Sequence, residues 1–369
     1  MSHVNHQNMQ YAVFSHIAQK ESVSVQTRLD EFAAEVRLAD ELGYDYFFTT
    51  EHHFSGPFSL SPSQPISLTV IAQNSSRLRF GPMVVQLPIS QPLRVVEEML
   101  ILDHMSGGRL EIGLGRGITP HEHTSYGIPT RSDMARFQEG LEFVVKALST
   151  KGRFSWTGEY YQYFDVELPW SALQQPHPPV WVPTNTASSA YEYGKRGFGV
   201  GGFGVVGVDL FKTVFSEYRR GCDEAGVPES QRRVSYLAST LVADTDEEAE
   251  ELMFEHFPRQ LALFELERRR SYEVLDVEGQ KNVKASLARL GMITNDLHAS
   301  AEGLRFIHGS PATVARKVQT LRDVLGVNVF IGEFSFGDLS FDQVRRSHEL
   351  FASQVMPAVN AGESSIAAR

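Results

Sequence analysis

Apolar and polar positions along the chain alternate between two rhythms. Short runs rich in aromatic and β-branched residues, such as Tyr44-Asp45-Tyr46-Phe47-Phe48-Thr49-Thr50, have strand character. Between them, longer stretches space their apolar residues as one face of a helix. Residues 9–16 read as a first strand. Residues 25–42 carry Leu29, Phe32, Ala33, Val36, Leu38 and Ala39 near helical spacing and stop at Gly43, a residue suited to the left-handed position after a helix. Further strands are predicted at 44–50, 78–87, 110–115, 179–183, 199–206, 233–243 and 327–333. Helices are predicted at 64–74, with Pro65 in the first turn, and at 92–105, 132–148, 187–195, 209–225 and 341–355. Alternating aromatic and polar residues around Thr157-Gly158 predict a small hairpin over 154–164, apart from the main series.

Eight strands, each followed by helical material, predict an α/β fold of the (β/α)8 TIM-barrel type rather than a doubly wound sheet. The span 245–326, between strands seven and eight, is too long for one crossover and is expected to hold a helical insertion. Its start is signalled by Thr245 as a cap with Glu248 completing a capping box. Ser310-Pro311 opens a helix over 312–325 at its end. The 369 residues read as a single domain, with the small, polar residues 360–369 expected to fray.

Composition narrows the function classes. A hydrophobic share of 42% supports a large core. Net charge is −11, from 34 basic and 45 acidic residues, which argues against a nucleic-acid backbone or an anionic membrane as partner. Cys222 is the single cysteine, so no intrachain disulfide can form, and a reducing cytoplasm is expected. Residues 1–10 are polar and lack the apolar centre of a signal peptide. No apolar run approaches the length of a membrane span.

Candidate chemistry gathers at strand ends, the active face of a parallel α/β barrel. Glu51-His52-His53-Phe54 stands where the second strand stops and a Ser-, Pro- and Gly-rich loop begins. The two histidines suit general acid–base work or hydrogen bonding in a pocket. They also admit a metal site with His121 and His123, or a purely structural role. Gly113-Leu114-Gly115-Arg116-Gly117 lacks the third glycine of a dinucleotide loop, since position 118 is Ile118, and Pro120 follows. What remains is a strand end where a flat ligand can approach bare backbone, with Arg116 free for a phosphate, or simply a turn with a surface arginine. Asn185-Thr186-Ala187-Ser188-Ser189 begins a helix after a strand, and offers either an anion site or an ordinary cap. Phe14, Phe54, Phe58, Tyr126, Tyr161 and Phe334 are available to line an apolar pocket.

Taken in order, these segments resemble the bacterial-luciferase-like flavin monooxygenases. The resemblance runs through Glu51-His52-His53-Phe54, Arg79-Phe80-Gly81 to Leu87-Pro88, and Pro92-Leu93-Arg94-Val95-Val96-Glu97. It continues through Leu102-Asp103-His104-Met105-Ser106-Gly107-Gly108-Arg109-Leu110, the Gly113–Gly117 run, Asn185–Ser189 and Gly309-Ser310-Pro311. It is weakest between 247 and 302. It implies a barrel with a late insertion and a flavin mononucleotide (FMN) site at the carboxyl end. Arg116, Thr186 and Ser189 fall on the phosphate-binding positions, beside Asn185. Met83-Val84 falls where the family has a non-prolyl cis peptide under the isoalloxazine, and His52 falls on the catalytic histidine. Luciferase itself has a reactive cysteine where this chain has Gly115, which speaks against light emission but not against monooxygenation. The implied reaction takes reduced FMN from a separate reductase, forms a C4a-(hydro)peroxyflavin with O2 in a dry site, and oxygenates a small organic substrate. The helices at 64–74 and 92–105 occupy the family's dimer-forming positions, so a homodimer, or a heterodimer with a close relative, is expected. Alternatives are a deazaflavin (F420)-dependent oxidoreductase on the same barrel, a non-catalytic flavin-binding protein and a metal-dependent hydrolase. The Glu51–Phe54 and Gly113–Gly117 runs favour the luciferase side over F420.

Overall fold

The computed structural model describes residues 8–366. Strands β1 (Gln10–Ser15), β2 (Tyr46–Thr49), β3 (Arg79–Pro82), β4 (Val85–Gln86), β5 (Ile112–Gly115) and β8 (Val180–Trp181) alternate with helices. So do β9 (Val200–Phe203), β10 (Val234–Val242), β11 (Ile307–Gly309) and β12 (Val329–Glu333). Only β6 (Phe154–Thr157) and β7 (Gln162–Val166) stand apart, as the antiparallel hairpin predicted around Thr157-Gly158. All other pairings are parallel. β10, β12, β1, β2 and β3 lie side by side in that order, with β9 and β11 also on β10, and β4, β5 and β8 form a second series. Single bridges, Phe80 to Leu110 and Trp181 to Gly199, join one series to the other. The product is a curled parallel sheet with helices on its outer face.

The period-2 rule sorts side chains between two cores. Ala12 and Phe14 of β1, Tyr46 and Phe48 of β2, Trp181 of β8, and Val329 and Ile331 of β12 form one cluster inside the curl. Their neighbours Tyr11, Val13, Phe47 and Phe330 point outward into a much larger cluster shared with the helices. Both sets are buried, which is why these strands read as continuous apolar runs rather than alternating ones. Gly199 makes room for the largest interior ring, since a Cβ there would lie 2.5 Å from Trp181 Cε3.

The helices that flank the site follow local signals. In α1 (Val25–Leu42), Ser24 Oγ accepts the Thr27 amide, and Gly43 ends the helix at φ 91°. The remaining outer helices are α2 (Gln64–Asn74), α3 (Pro92–Met105), α4 (Pro120–Ser125), α5 (Asp133–Ser149), α6 (Ala187–Lys195) and α7 (Val208–Ala225). The late excursion holds α8 (Asp246–Tyr272), α9 (Val277–Asn295) and α10 (Leu297–Glu302), then β11, before α11 (Pro311–Leu325) returns to β12. Helices α12 (Phe341–Leu350) and α13 (Met356–Ile366) close the chain.

Several expectations change. The third strand is two pieces, β3 and β4, with the cis Met83–Val84 peptide between them. Residues 120–125, where no element was predicted, form α4. The excursion includes a strand, β11, paired to β10. Thr245 Oγ1 accepts the Glu248 amide at 3.1 Å, which is one half of the predicted capping box. The closing helix is not confined to 341–355. A π-turn at Phe351–Val355 passes it into α13, which runs to Ile366. Phe351, Val355 and Val359 are buried and anchor this last stretch. Residues 367–369 and the amino-terminal 1–7 lie outside the described residues.

Candidate active site

The loop after β2 carries the site's first histidine inward. His52 is buried, with its amide donating to Ser61 O and its ring 4.6 Å from that of Phe58. Its Nδ1 lies 2.9 Å from Glu122 Oε1. Glu122 belongs to α4 and is fully enclosed. Gln86 Nε2 donates to its other oxygen at 2.6 Å and the His53 amide to Oε1 at 3.2 Å. Burial works to raise the Glu122 carboxyl, but these donors, His52 foremost, outweigh it and hold Glu122 below its usual range. For His52, burial disfavours the imidazolium and outweighs the pull of Glu122, so its pKa is lowered. The two directions agree on one state: a neutral imidazole that donates Nδ1–H to a carboxylate. Its Nε2, without a hydrogen-bond partner among the described residues, then carries a lone pair, as a general base requires.

His53 faces a different carboxylate. Its Nε2 lies 3.0 Å from Glu51 Oε1, and Tyr126 OH reaches its Nδ1 at 3.0 Å. Burial raises the Glu51 carboxyl. Gln86 ties the two pairs together, since its Nε2 also donates to the Glu51 carbonyl at 2.9 Å. His121 Nε2 lies 3.4 Å from Glu267 of α8, and His123 Nδ1 lies 3.4 Å from Asp133. His121, Glu122 and Glu267 together have a metal-ligand composition, with ligand atoms within 4.8 Å of one another. However, Glu122 already accepts from three groups. His52, His53, His121 and His123 each turn to a separate acid and do not converge as one ligand set.

The glycine-rich strand end packs tightly against β4 beside this cluster. Register pairs Val85 with Leu114 and Gln86 with Gly115. A Cβ on Gly115 would collide with the Val84 side chain, and one on Gly117, at φ 84°, would strike Gln86 Oε1. Met83, Val84 and Gly115 are therefore brought together. Arg116 follows them, largely exposed, with Asp133 Oδ1 at 3.7 Å as its ion partner. Across the β5–β8 pairing, Asn185 and Thr186 precede α6. Thr186 occupies the cap position, yet its side chain makes no capping bond, so the hydroxyl and the first amides of α6 stay open. Asn185 and Thr186 are exposed and Ser189 is half-buried. Arg116 turns to Asp133 rather than to α6, so the three expected phosphate ligands share one end of the sheet without touching.

Sequence reasoning missed Glu122, Glu267 and Glu333 as partners of the histidines, and the role of His16. Among the expected pocket aromatics, Phe14 and Phe58 pack on His16, and Tyr126 reaches His53. Tyr161 OH instead donates to the Leu87 carbonyl, and Phe334 packs against His348 outside this cluster.

Comparison with known proteins decides the kinship. The family model described as luciferase-like monooxygenase matches residues 9–328. The chain belongs to the luciferase-like monooxygenase family. It is thus an enzyme of the flavin-dependent monooxygenase and oxidoreductase class. Protein y4wF of Sinorhizobium fredii is 29% identical over 95% of this chain and 97% of its own. The oxygenase component of flavin-dependent trigonelline monooxygenase from Acinetobacter baylyi is 26% identical over 66% of this chain and 67% of its own. Among solved structures, monooxygenase RslO1 from Streptomyces bottropensis has a TM-score of 0.80 at 23% identity, covering 95% of this chain and 99% of its own. The oxygenating constituent of 3,6-diketocamphane monooxygenase from Pseudomonas putida, in complex with FMN, has a TM-score of 0.75 at 22% identity, with coverage of 95% and 98%. These two likenesses support the fold. No described helix is long and apolar enough to cross a membrane.

Proposed function

We propose that this luciferase-like enzyme is the oxygenase half of a two-component FMN-dependent monooxygenase. On this reading it takes reduced FMN from a separate reductase and transfers one atom of O2 to a small organic substrate. The observation that carries the reading is the His52–Glu122 pair, tied through Gln86 to the β4–β5 strand end where Gly115 packs on Val84 and Arg116 follows. The residues fit the cofactor: a flat ring needs close backbone approach, and its phosphate needs a cation and free amides. Arg116 would leave Asp133 for the phosphate, with Thr186, Ser189 and Asn185 at the α6 terminus. Met83 and Val84 would lie under the ring. Bound reduced FMN would supply the activation of oxygen. The chain's own task is to exclude water and to move a proton at His52 Nε2, with Glu122 holding the ring in place.

The same reading closes the curled sheet as a (β/α)8 barrel of one domain. Strands β3 and β4 count as one, and α8 to β11 form the insertion. It also pairs two copies through α2 and α3, where Ile66, Ile101 and Met105 are exposed. Cys222, buried and alone, suits a reducing cytoplasm.

The test is anaerobic titration of the protein with reduced FMN and, separately, with reduced F420, followed by oxygen. Tight binding of reduced FMN and an oxygen-dependent flavin transient are expected. Preference for F420, or no binding of either, would overturn the assignment.

A further inference from the structure

Strand order divides the carboxyl end of the sheet into two arcs. The residues assigned to the flavin follow β4, β5 and β8. On the other arc stand Ser239 on β10, Glu333 at the end of β12, His16 after β1 and His52 after β2. His16 Nδ1 lies 2.5 Å from Glu333 Oε1. Ser239 Oγ donates to Glu333 Oε2 at 2.9 Å, and Gln260 Nε2, from α8, lies 3.4 Å from Oε1. Glu333 is fully buried, so its orientation is fixed and it fixes the imidazole in turn. The His16 ring is walled by Phe58 at 4.8 Å and by Phe264 of α8 at 5.6 Å. It stacks on His52 at 6.2 Å and 20°. Like His52, it leaves Nε2 without a hydrogen-bond partner among the described residues.

The ionisable side chains here come in opposite pairs: His16 with Glu333, His52 with Glu122, His53 with Glu51, and His121 with Glu267. Arg270 also turns to Glu267, at 3.4 Å. Among the described residues, the carboxylates of these pairs offer a cationic ligand no free partner, and Arg268 of α8, which has no ion pair, is turned away to donate to the Ile118 carbonyl. A charge placed at the His16 ring would be buried without a partner in contact with it. An apolar body against Phe58 and Phe264, with one oxygen at an imidazole, meets no such penalty.

We propose that His16, oriented by Glu333, is the specificity-determining residue of the substrate subsite, where its Nε2 takes the hydroxyl or carbonyl oxygen of an uncharged, mostly apolar compound. The proposal rests on the flavin reading only for which arc is left free. With Nδ1–H on Glu333, the Nε2 lone pair accepts from a hydroxyl. The protonated ring donates to a carbonyl. Phe264 and Gln260 make α8 one wall of the subsite, reaching it from the insertion rather than from the sheet.

The test uses the full chain and four probes of one size: cyclohexanol, cyclohexanone, cyclohexanecarboxylate and cyclohexylammonium. Binding is followed by imidazole 15N shifts, assigned with His16→Gln and His52→Gln, with and without FMN. The neutral probes should bind at least about tenfold more tightly than either charged one and should move the His16 Nε2 resonance. His16→Gln and Glu333→Gln should each weaken neutral-probe binding about tenfold while leaving FMN affinity unchanged. Should His16→Gln not fold, Glu333→Gln carries the test alone, since it keeps the side-chain shape while turning one acceptor oxygen into a donor. Equal or better binding of a charged probe, no binding by any probe, or wild-type binding in both variants would overturn the proposal. If FMN fails to bind while the probes behave as expected, the flavin reading falls and this one stands.

Discussion

A histidine acts as a base only if it is neutral, oriented and open at one nitrogen, and His52 meets all three conditions. Burial keeps it neutral, Glu122 fixes Nδ1, and Nε2 is open. His52→Ala should leave FMN binding intact and lower turnover by about 10²–10⁴, the range for a lost general base, with more peroxide released per flavin oxidised. Unchanged coupling would pass the role to another group. Glu122 pulls His52 toward its protonated form, so Glu122→Gln should move the acid limb of the pH–rate profile to lower pH. A limb that stays in place would separate Glu122 from His52. Arg116 has only a long ion contact, 3.7 Å to Asp133, to leave behind. Arg116→Ala should weaken reduced-FMN binding by about 1.5–3 kcal/mol, the scale of a charge-assisted hydrogen bond, measured by anaerobic fluorescence titration. At this scale the sequence was only half legible. Glu51-His52-His53 stands out as a string, but Glu122 is 70 positions from its histidine. The segment His121-Glu122-His123 draws the eye to its imidazoles, whereas its carboxylate is the member that faces His52. Likewise His16 and Glu333 lie 317 positions apart, and only closure of β1 against β12 brings them together.

At the level of elements, most strands and helices were readable because both faces of the parallel strands are largely buried and the helices carry clear stop signals. Gly43 and Gly226 end α1 and α7 in the left-handed conformation, as their positions after apolar stripes imply. The misread elements share a cause: their form is set by contacts from outside the segment. Helix α4 is too short to show a period, and Glu122 holds it through His52 and Gln86. Strand β11 has three residues and exists only as a partner of β10. Gly117 shows how tightly these elements fit. It lies at φ 84°, and an added Cβ would meet Gln86 Oε1 and lie 2.8 Å from His123 Nε2. Gln86 is the amide that bridges the Glu51 carbonyl and Glu122. Gly117→Ala should therefore cost about 1–3 kcal/mol from backbone conformation alone, read by urea denaturation, and should lower activity as Gln86 moves. A fully stable and active variant would show that this corner yields easily.

For the whole molecule, the insertion is where acid should act first. His308 on β11 is buried between Phe254 and Phe306, with ring centroids at 5.7 and 5.6 Å. Its Nδ1 has no hydrogen-bond partner among the described residues, while Lys317 Nζ donates to its backbone oxygen at 2.8 Å. Burial, reinforced by the Lys317 charge, pushes its pKa from 6.5 down to about 4. Between those two values the unfolded chain binds a proton that the folded chain refuses. Stability must therefore fall as pH drops through 6.5, and the loss levels off only below about 4. The full difference is worth at most about 3 kcal/mol. His52 shifts in the same direction, so the slope of the wild type alone does not isolate His308. The informative quantity is the difference between the wild type and His308→Leu, which keeps an apolar side chain among Phe254 and Phe306 and removes the titration. Thermal melting measured from pH 7.5 to 4 should show a shallower decline in the variant, with the two curves converging or crossing toward the acid end. Parallel curves would mean that water reaches His308 in the folded state and that the insertion is looser than its packing implies.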